Sequence, residues 1–186
     1  MTDRTDRRKP LPTGQQRVRF VELAGRSMSA LLAGDLPAAG VALSEYFVTD
    51  RARWLWRMRL DQMAADPAQA RWMVRFAVVG ADGSVVGHCG FHGPPDAAGM
   101  VEIGYSVAPE FRRRGYARAM LVELLRRAAA DPAVETVRAT IGPDNAASLA
   151  TIAGFGFAEV GEQWDDEDGL EIIFEVPADP SVFAAD

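Results

Sequence analysis

Residues 17–23 (RVRFVEL) alternate polar and apolar side chains, as a half-buried strand does. From Ser27 to about Ala65 the apolar positions return at helical spacing instead. Asp35-Leu36-Pro37 interrupts that run. A first short helix ends there and a second begins near Pro37, where proline is tolerated in the first turn. Asp50 is the expected N-cap of a third helix over 51–65, which Asp66-Pro67 ends. Residues 72–79 (WMVRFAVV) and 85–91 then form the arms of a hairpin around Gly80-Ala81-Asp82-Gly83. After the loop at Gly93-Pro94-Pro95, residues 100–107 (MVEIGYSV) are another strand.

The clearest periodicity lies in 116–130, where Ala117, Met120, Leu121, Leu124, Leu125 and Ala128 line one helical face. Arg126 and Arg127 suit its C-terminus, and Asp131-Pro132 stops it. A strand at 136–141, a short helix at 145–153, and strands at 155–160 and 170–176 around an acidic turn (165–169) complete the chain. The order is β-ααα-βββ-α-β-α-ββ. It predicts one mixed α/β (α+β) domain over 15–178, with tails at 1–14 and 179–186. The expected sheet has about seven twisted, largely antiparallel strands with helices on both faces and a single β-α-β crossover. That is not a doubly wound parallel fold.

Composition narrows the function classes. The chain has 186 residues and a formal net charge of -6, which argues against a nucleic-acid binder. No apolar run is long enough to span a membrane, and residues 1–10 carry no apolar segment of a secretory signal. Cys89 is the only cysteine, so no internal disulfide forms, consistent with a reducing cytoplasm. His88, Cys89 and His92 are close in sequence, but strand alternation suits them poorly for one ion, and no metal is expected. The histidines are better placed to line an acceptor site. Trp54, Trp56, Met58 and Trp72 read as core or acceptor pocket, with core the better default.

Chemistry concentrates in the segment Arg112-Arg113-Arg114-Gly115-Tyr116-Ala117-Arg118, which joins a strand to a helix. The first turn of a helix offers free N–H groups and the positive end of the dipole, and so favours an anion. Gly115 lets the backbone approach a ligand, and Ala117 keeps the helix close to it. Arginine adds charge-assisted contacts matched to phosphate. Four arginines beside a helix N-terminus oppose the macrodipole, and a bound anion compensates them. Neither G-x-x-x-x-G-K-[ST] nor G-x-G-x-x-G is present. The second marker is Asn145, the only asparagine, at the start of a short helix, with Ser148 one turn on.

Together, EIGYSVAPEFRRRGYARAML and NAASLATIAGFGF resemble the central and second motifs of the GNAT superfamily of acetyl-CoA-dependent N-acetyltransferases. The branch containing the ribosomal-protein alanine acetyltransferases looks most similar. The resemblance is specific over 102–157 and only compositional in the N-terminal helices. It implies that the main chain of Ser106, Val107 and Ala108, at a splayed strand end, pairs with pantetheine as an added strand would. It implies that N–H groups between Arg113 and Arg118 hold the pyrophosphate, and that Asn145 and Ser148 contact the coenzyme.

The implied reaction is acetyl transfer from acetyl-CoA to a primary amine, a protein N-terminus or a small molecule, by direct attack in a ternary complex. Glu102 is the candidate base, placed by alternation on one face with Gly104 and Ser106. The N–H of Val107 or Ala108 is a candidate oxyanion donor. Many relatives carry a proton-donating tyrosine seven residues after the asparagine. Ile152 stands there, which motivates an alternative, a non-catalytic acyl-CoA-binding regulatory module. The expected partners are acetyl-CoA and an amine, with no nucleic acid and no membrane, for a monomer or homodimer.

Overall fold

The structure is a computed structural model that describes residues 17–39, 43–80 and 83–179. The predicted tail 1–14 lies outside the described residues, as does the C-terminal tail beyond Asp179. The strands are β1 (Arg19–Glu22), β2 (Arg75–Val79), β3 (Ser84–Phe91), β4 (Met100–Val107), β5 (Thr136–Ile141), β6 (Ala158–Asp165) and β7 (Gly169–Pro177). The helices are α1 (Gly25–Ala33), α2 (Asp50–Ala65), α3 (Tyr116–Ala129) and α4 (Ala146–Ile152). One seven-stranded sheet runs β1-β2-β3-β4-β5-β7-β6. Every neighbouring pair is antiparallel except β4 and β5, which α3 links as the expected crossover.

Each face of the sheet has its own core. On one, Met28 and Leu31 of α1 and Trp56 of α2 bury against Phe76 and Val78. Trp56 also donates its indole N–H to the Phe47 carbonyl at 2.8 Å, so its polar edge is satisfied in the core. On the other, Met120, Leu121, Leu124 and Leu125 of α3 cover Val101, Val137 and Ile141. Trp56 and Trp72 are core, as expected, whereas Trp54 is exposed.

Four local expectations need correction. The second helix near Pro37 is replaced by 3-10 turns at Pro37–Ala39 and Glu45–Val48. Gly34, at φ 79°, closes α1, and the Asp35 carboxylate accepts from Ala38 N–H at 3.1 Å, which caps the short 3-10 turn that follows. The third helix is capped by Thr49, whose Oγ1 accepts from Ala52 N–H, and Asp50 is its first residue. β2 starts at Arg75 because a 3-10 turn, Pro67–Arg71, carries the chain to Trp72. β6 runs Ala158–Asp165, not 155–160, because Gly154 (φ 85°) and Gly156 (φ 80°) hold the preceding segment in left-handed turns.

The sheet divides at one place. β4 and β5 pair only at Met100 with Thr136, Val101 with Val137 and Glu102 with Arg138. Beyond Glu102 both strands continue without pairing each other, which opens a wedge. In an antiparallel ladder a residue's N–H and C=O point to the same side. The Ala108 N–H donates to Val86 O at 2.9 Å, and the Glu102 carbonyl accepts from His92 N–H at 2.8 Å. Even-numbered residues of β4 therefore bond toward β3, while Ile103, Tyr105 and Val107 turn their main chain toward the wedge.

Candidate active site

Glu102 sits at the fork of the wedge. Its register partner Arg138 is engaged by Glu175, with Nη2 to Oε1 at 2.6 Å, so that guanidinium serves β7. The Glu102 carboxylate instead accepts from the Thr140 hydroxyl at 2.6 Å, across the opening. The imidazole Nδ1 of His92 stands 3.4 Å from the same Oε1. The Thr140 hydroxyl thus holds Glu102 on the α1–α2 face, with the His92 imidazole beside it. Arg59, a buried guanidinium on α2, donates to the His92 carbonyl at 2.9 Å and to the Gln62 side chain at 2.7 Å. Burial lowers the Arg59 pKa, and the nearby Glu102 charge opposes that.

Gly104 and Ser106 continue the same face. The Ser106 hydroxyl is hydrogen-bonded to the phenol of Tyr46, from the 3-10 turn before α2. Tyr46 stacks on His88, and Trp56 meets His88 edge-on at 5.1 Å between ring centroids. Burial, with the Arg59 charge adding to it, lowers the His88 pKa to about 4. The unfolded chain therefore binds a proton between pH about 6.5 and about 4 that the folded chain does not, and stability falls as pH falls through that window. His88→Phe is expected to flatten the acid slope of the thermal midpoint. Equal slopes in the two proteins would discard this role for His88.

The wedge's other face carries different chemistry. The Tyr105 phenol points toward Ser148 and Thr151 of α4, and burial raises its pKa against the influence of those hydroxyls. Ile152 is core, 4% exposed, so it takes no part in proton transfer. Cys89 is buried on this side, and burial raises its thiol pKa well above the ordinary value. His88 and Cys89 thus face opposite layers, and among the described residues no three metal-ligating groups gather.

The arginine loop has an unusual backbone. Arg113 is at φ 60°, the only non-glycine residue with positive φ among those described, and Gly115 is at φ 82°. Two left-handed residues in one turn aim successive N–H groups into a concavity of the kind that cradles anions. Gly115 is the N-cap of α3 without a side-chain cap, so the first-turn N–H groups stay open to a ligand. Arg113 and Arg114 are exposed. Three other contacts hold the loop's arginines. Arg112 Nε donates to Val107 O at 3.1 Å, Arg114 lies over Phe111, and Arg118 lies over Phe155 at 4.2 Å. Tyr116 meets Phe111 edge-on, and Ala117 is half-buried in the first turn.

The second marker lies across the wedge. Asn145 caps α4, its Oδ1 accepting from Ser148 N–H at 3.1 Å. Of the main-chain positions expected to pair with pantetheine, Val107 faces the wedge, whereas Ser106 and Ala108 bond toward β3. The Ala108 N–H is already used by Val86, which leaves Val107 as the oxyanion candidate of the two.

The sequence profile of the acetyltransferase (GNAT) domain matches residues 41–158, more than half of the chain. The chain belongs to the GNAT acetyltransferase family. It is 36% identical over 73 residues to a Bacillus subtilis (strain 168) protein described as uncharacterized N-acetyltransferase YjdG, a match covering 39% of this chain and 44% of that one. The fold is similar to Mycobacterium smegmatis RimJ in complex with CoA-disulfide, at TM-score 0.61 and 21% identity over 89% of this chain and 86% of that one. It is also similar to the phosphinothricin acetyltransferase of Sinorhizobium meliloti in complex with AcCoA, at TM-score 0.58 and 17% identity over 86% and 88% of the two chains. The match spans less than half the length of the Bacillus subtilis relative, 44% of it. No described helix is long and apolar enough to cross a membrane.

Sequence reasoning missed Tyr46, Arg59 and Thr140. None carries a motif. Thr140 is an ordinary strand residue until β5 diverges from β4, and Arg59 is one of several arginines on α2.

Proposed function

We propose that this GNAT-family protein is an acetyl-CoA-dependent acyltransferase that acetylates a primary amine by direct attack on acetyl-CoA in a ternary complex. The observation that carries the reading is the unpaired wedge with a hydroxyl-bonded carboxylate, Glu102, at its fork and an anion-accepting turn, Arg113 to Gly115, at the N-terminus of α3. Beyond Glu102 the main-chain N–H groups of Tyr105 and Val107 face the wedge, where they can bond an extended amide-bearing ligand as an added strand. Val107 takes that part in the reading, and Ser106 offers its hydroxyl rather than its main chain. N–H groups between Arg113 and Arg118 receive the pyrophosphate, with Arg112, Arg113, Arg114 and Arg118 supplying positive charge around it.

Asn145 and Ser148 border the wedge from the α4 side and contact the pantetheine arm. Glu102 supplies the negative charge toward which the ammonium proton is drawn, since an alkylamine is mostly protonated at neutral pH. The single cysteine supports direct transfer over an acyl-enzyme, because a buried, protonated thiol is a poor nucleophile. An acceptor that is a protein N-terminus or a small-molecule amine enters from the α1–α2 face, where Glu102, Gly104 and Ser106 lie.

The test is release of coenzyme A from acetyl-CoA with an amine panel, alongside calorimetry of acetyl-CoA binding. Binding with amine-dependent release supports the reading, and no binding sinks it. Gly115→Ala probes the loop separately. A Cβ at φ 82° disfavours that conformation by roughly 1–2 kcal/mol, so the free loop is expected to leave it, and acetyl-CoA, which must restore it, is expected to bind with a Kd about tenfold higher. An unchanged Kd would remove the loop from the binding site.

A further inference from the structure

We propose that His92 is the group that takes the proton from the acceptor amine, and that Glu102 acts through it. This rests on the amine-acetylating reading and changes the part Glu102 plays in it. The argument is geometric. His92 follows β3, and its N–H donates to the Glu102 carbonyl at 2.8 Å. Its own carbonyl is held by Arg59 at 2.9 Å and Gln62 at 3.2 Å from α2. With its main chain fixed from both sides, the imidazole lies over β4. Nδ1 is 3.4 Å from Glu102 Oε1, and a methyl group built on Gly104 would stand 2.9 Å from Nε2. The ring therefore lies between the carboxylate and the next stretch of β4, toward Ser106. Glu102 is the more enclosed partner, its side chain 22% exposed against 46% for His92. An amine arriving on this face meets Nε2 before it meets the carboxylate.

This arrangement assigns one role to each nitrogen. With Nδ1–H facing Glu102, Nε2 carries the lone pair and is aimed at the acceptor. The ammonium gives one proton to Nε2, and the resulting imidazolium is stabilised by Glu102. The freed amine lone pair forms the N–C bond at the thioester carbonyl. The C–S bond then breaks, its electron pair leaves with sulfur, and the second amine proton goes to the thiolate. The imidazolium returns its proton to solvent. The net change is acetyl-CoA plus ammonium to amide, thiol and one proton.

The charged groups facing His92 are Glu102 on β4 and Arg59 on α2. Burial lowers the His92 pKa, Glu102 opposes that, and Arg59 reinforces it. A base of this kind contributes roughly a hundredfold or more.

The experiment measures kcat/KM against pH for coenzyme A release, with spermidine and with alanine- and serine-initiated peptides as acceptors. Acetyl-CoA calorimetry accompanies each protein. The wild type is expected to show an acid limb. His92→Gln is expected to abolish that limb and lower kcat/KM at pH 7 about a hundredfold, with acetyl-CoA Kd within about twofold. Glu102→Gln is expected to move the limb to lower pH rather than abolish it, because the ring loses the charge that raises its pKa. Gly104→Ala is expected to swing the ring aside and lower kcat/KM about tenfold, with the thermal midpoint nearly unchanged, since the displaced atom is the end of a side chain. A limb that survives in His92→Gln but vanishes in Glu102→Gln makes Glu102 the direct base and overturns this proposal alone. No release by the wild type with any acceptor overturns the acetyltransferase reading and this one with it.

Discussion

Glu102→Gln is expected to lower kcat for amine acetylation about a hundredfold while leaving acetyl-CoA affinity within about twofold. The substitution is isosteric and removes only the charge. The amide can still accept from the Thr140 hydroxyl, which is 2.6 Å from the carboxylate, so the fork of the wedge keeps its shape. Arg138 loses no partner, because Glu175 holds it. What is lost is the anion that stabilises a proton taken from the ammonium, a term present in the transition state and absent from coenzyme binding. Single-turnover rates with saturating acetyl-CoA, together with calorimetry, check the split. A fall in affinity with unchanged kcat would place Glu102 in the binding site instead.

Gly87→Ala is expected to destabilise the fold by about 3 kcal/mol and to lower the thermal midpoint by about 6–12 °C. Gly87 lies on β3 opposite Val107, and a Cβ there would stand 2.1 Å from the Ser106 carbonyl oxygen and 2.8 Å from Met120 Cε. The methionine can yield, but the carbonyl belongs to the backbone of β4. Relief requires β3 and β4 to separate beside the wedge, so loss of acetyl-CoA affinity is expected to accompany the loss of stability. Gly161→Ala is the control, since a Cβ there meets nothing within 4 Å. Differential scanning calorimetry of the pair decides the matter. Matching midpoints would show that the strand contact relaxes without cost.

Both predictions concern β4, whose side chains were more legible in the sequence than its main chain. Alternation put Glu102, Gly104 and Ser106 on one face, and the structure places them on the α1–α2 side. The succession of strands along the chain, the crossover and both β4 and α3 follow from periodicities that are local and unbroken. The errors fall where local signals compete. Pro37 can open an α-helix or a tighter turn, and here, after the left-handed Gly34 and the Asp35 cap, it opens a single 3-10 turn. Gly154 and Gly156 delay β6 by a conformational requirement that apolar spacing does not report.

The sequence by itself determined most strands and helices, the segment after Pro37 and the bounds of β6 excepted, and that an arginine-rich, glycine-capped turn joins β4 to α3. It also identified Asn145 as a cap. These are consequences of hydrophobic period, capping chemistry and the absence of a Cβ, all written within a few residues of one another. Only the tertiary structure decided where β4 and β5 part. That point selects Glu102, Thr140 and His92 as neighbours and turns Val107, not Ala108, toward the opening. These contacts join residues tens of positions apart, and they depend on register and on strand divergence, which no short stretch of sequence encodes.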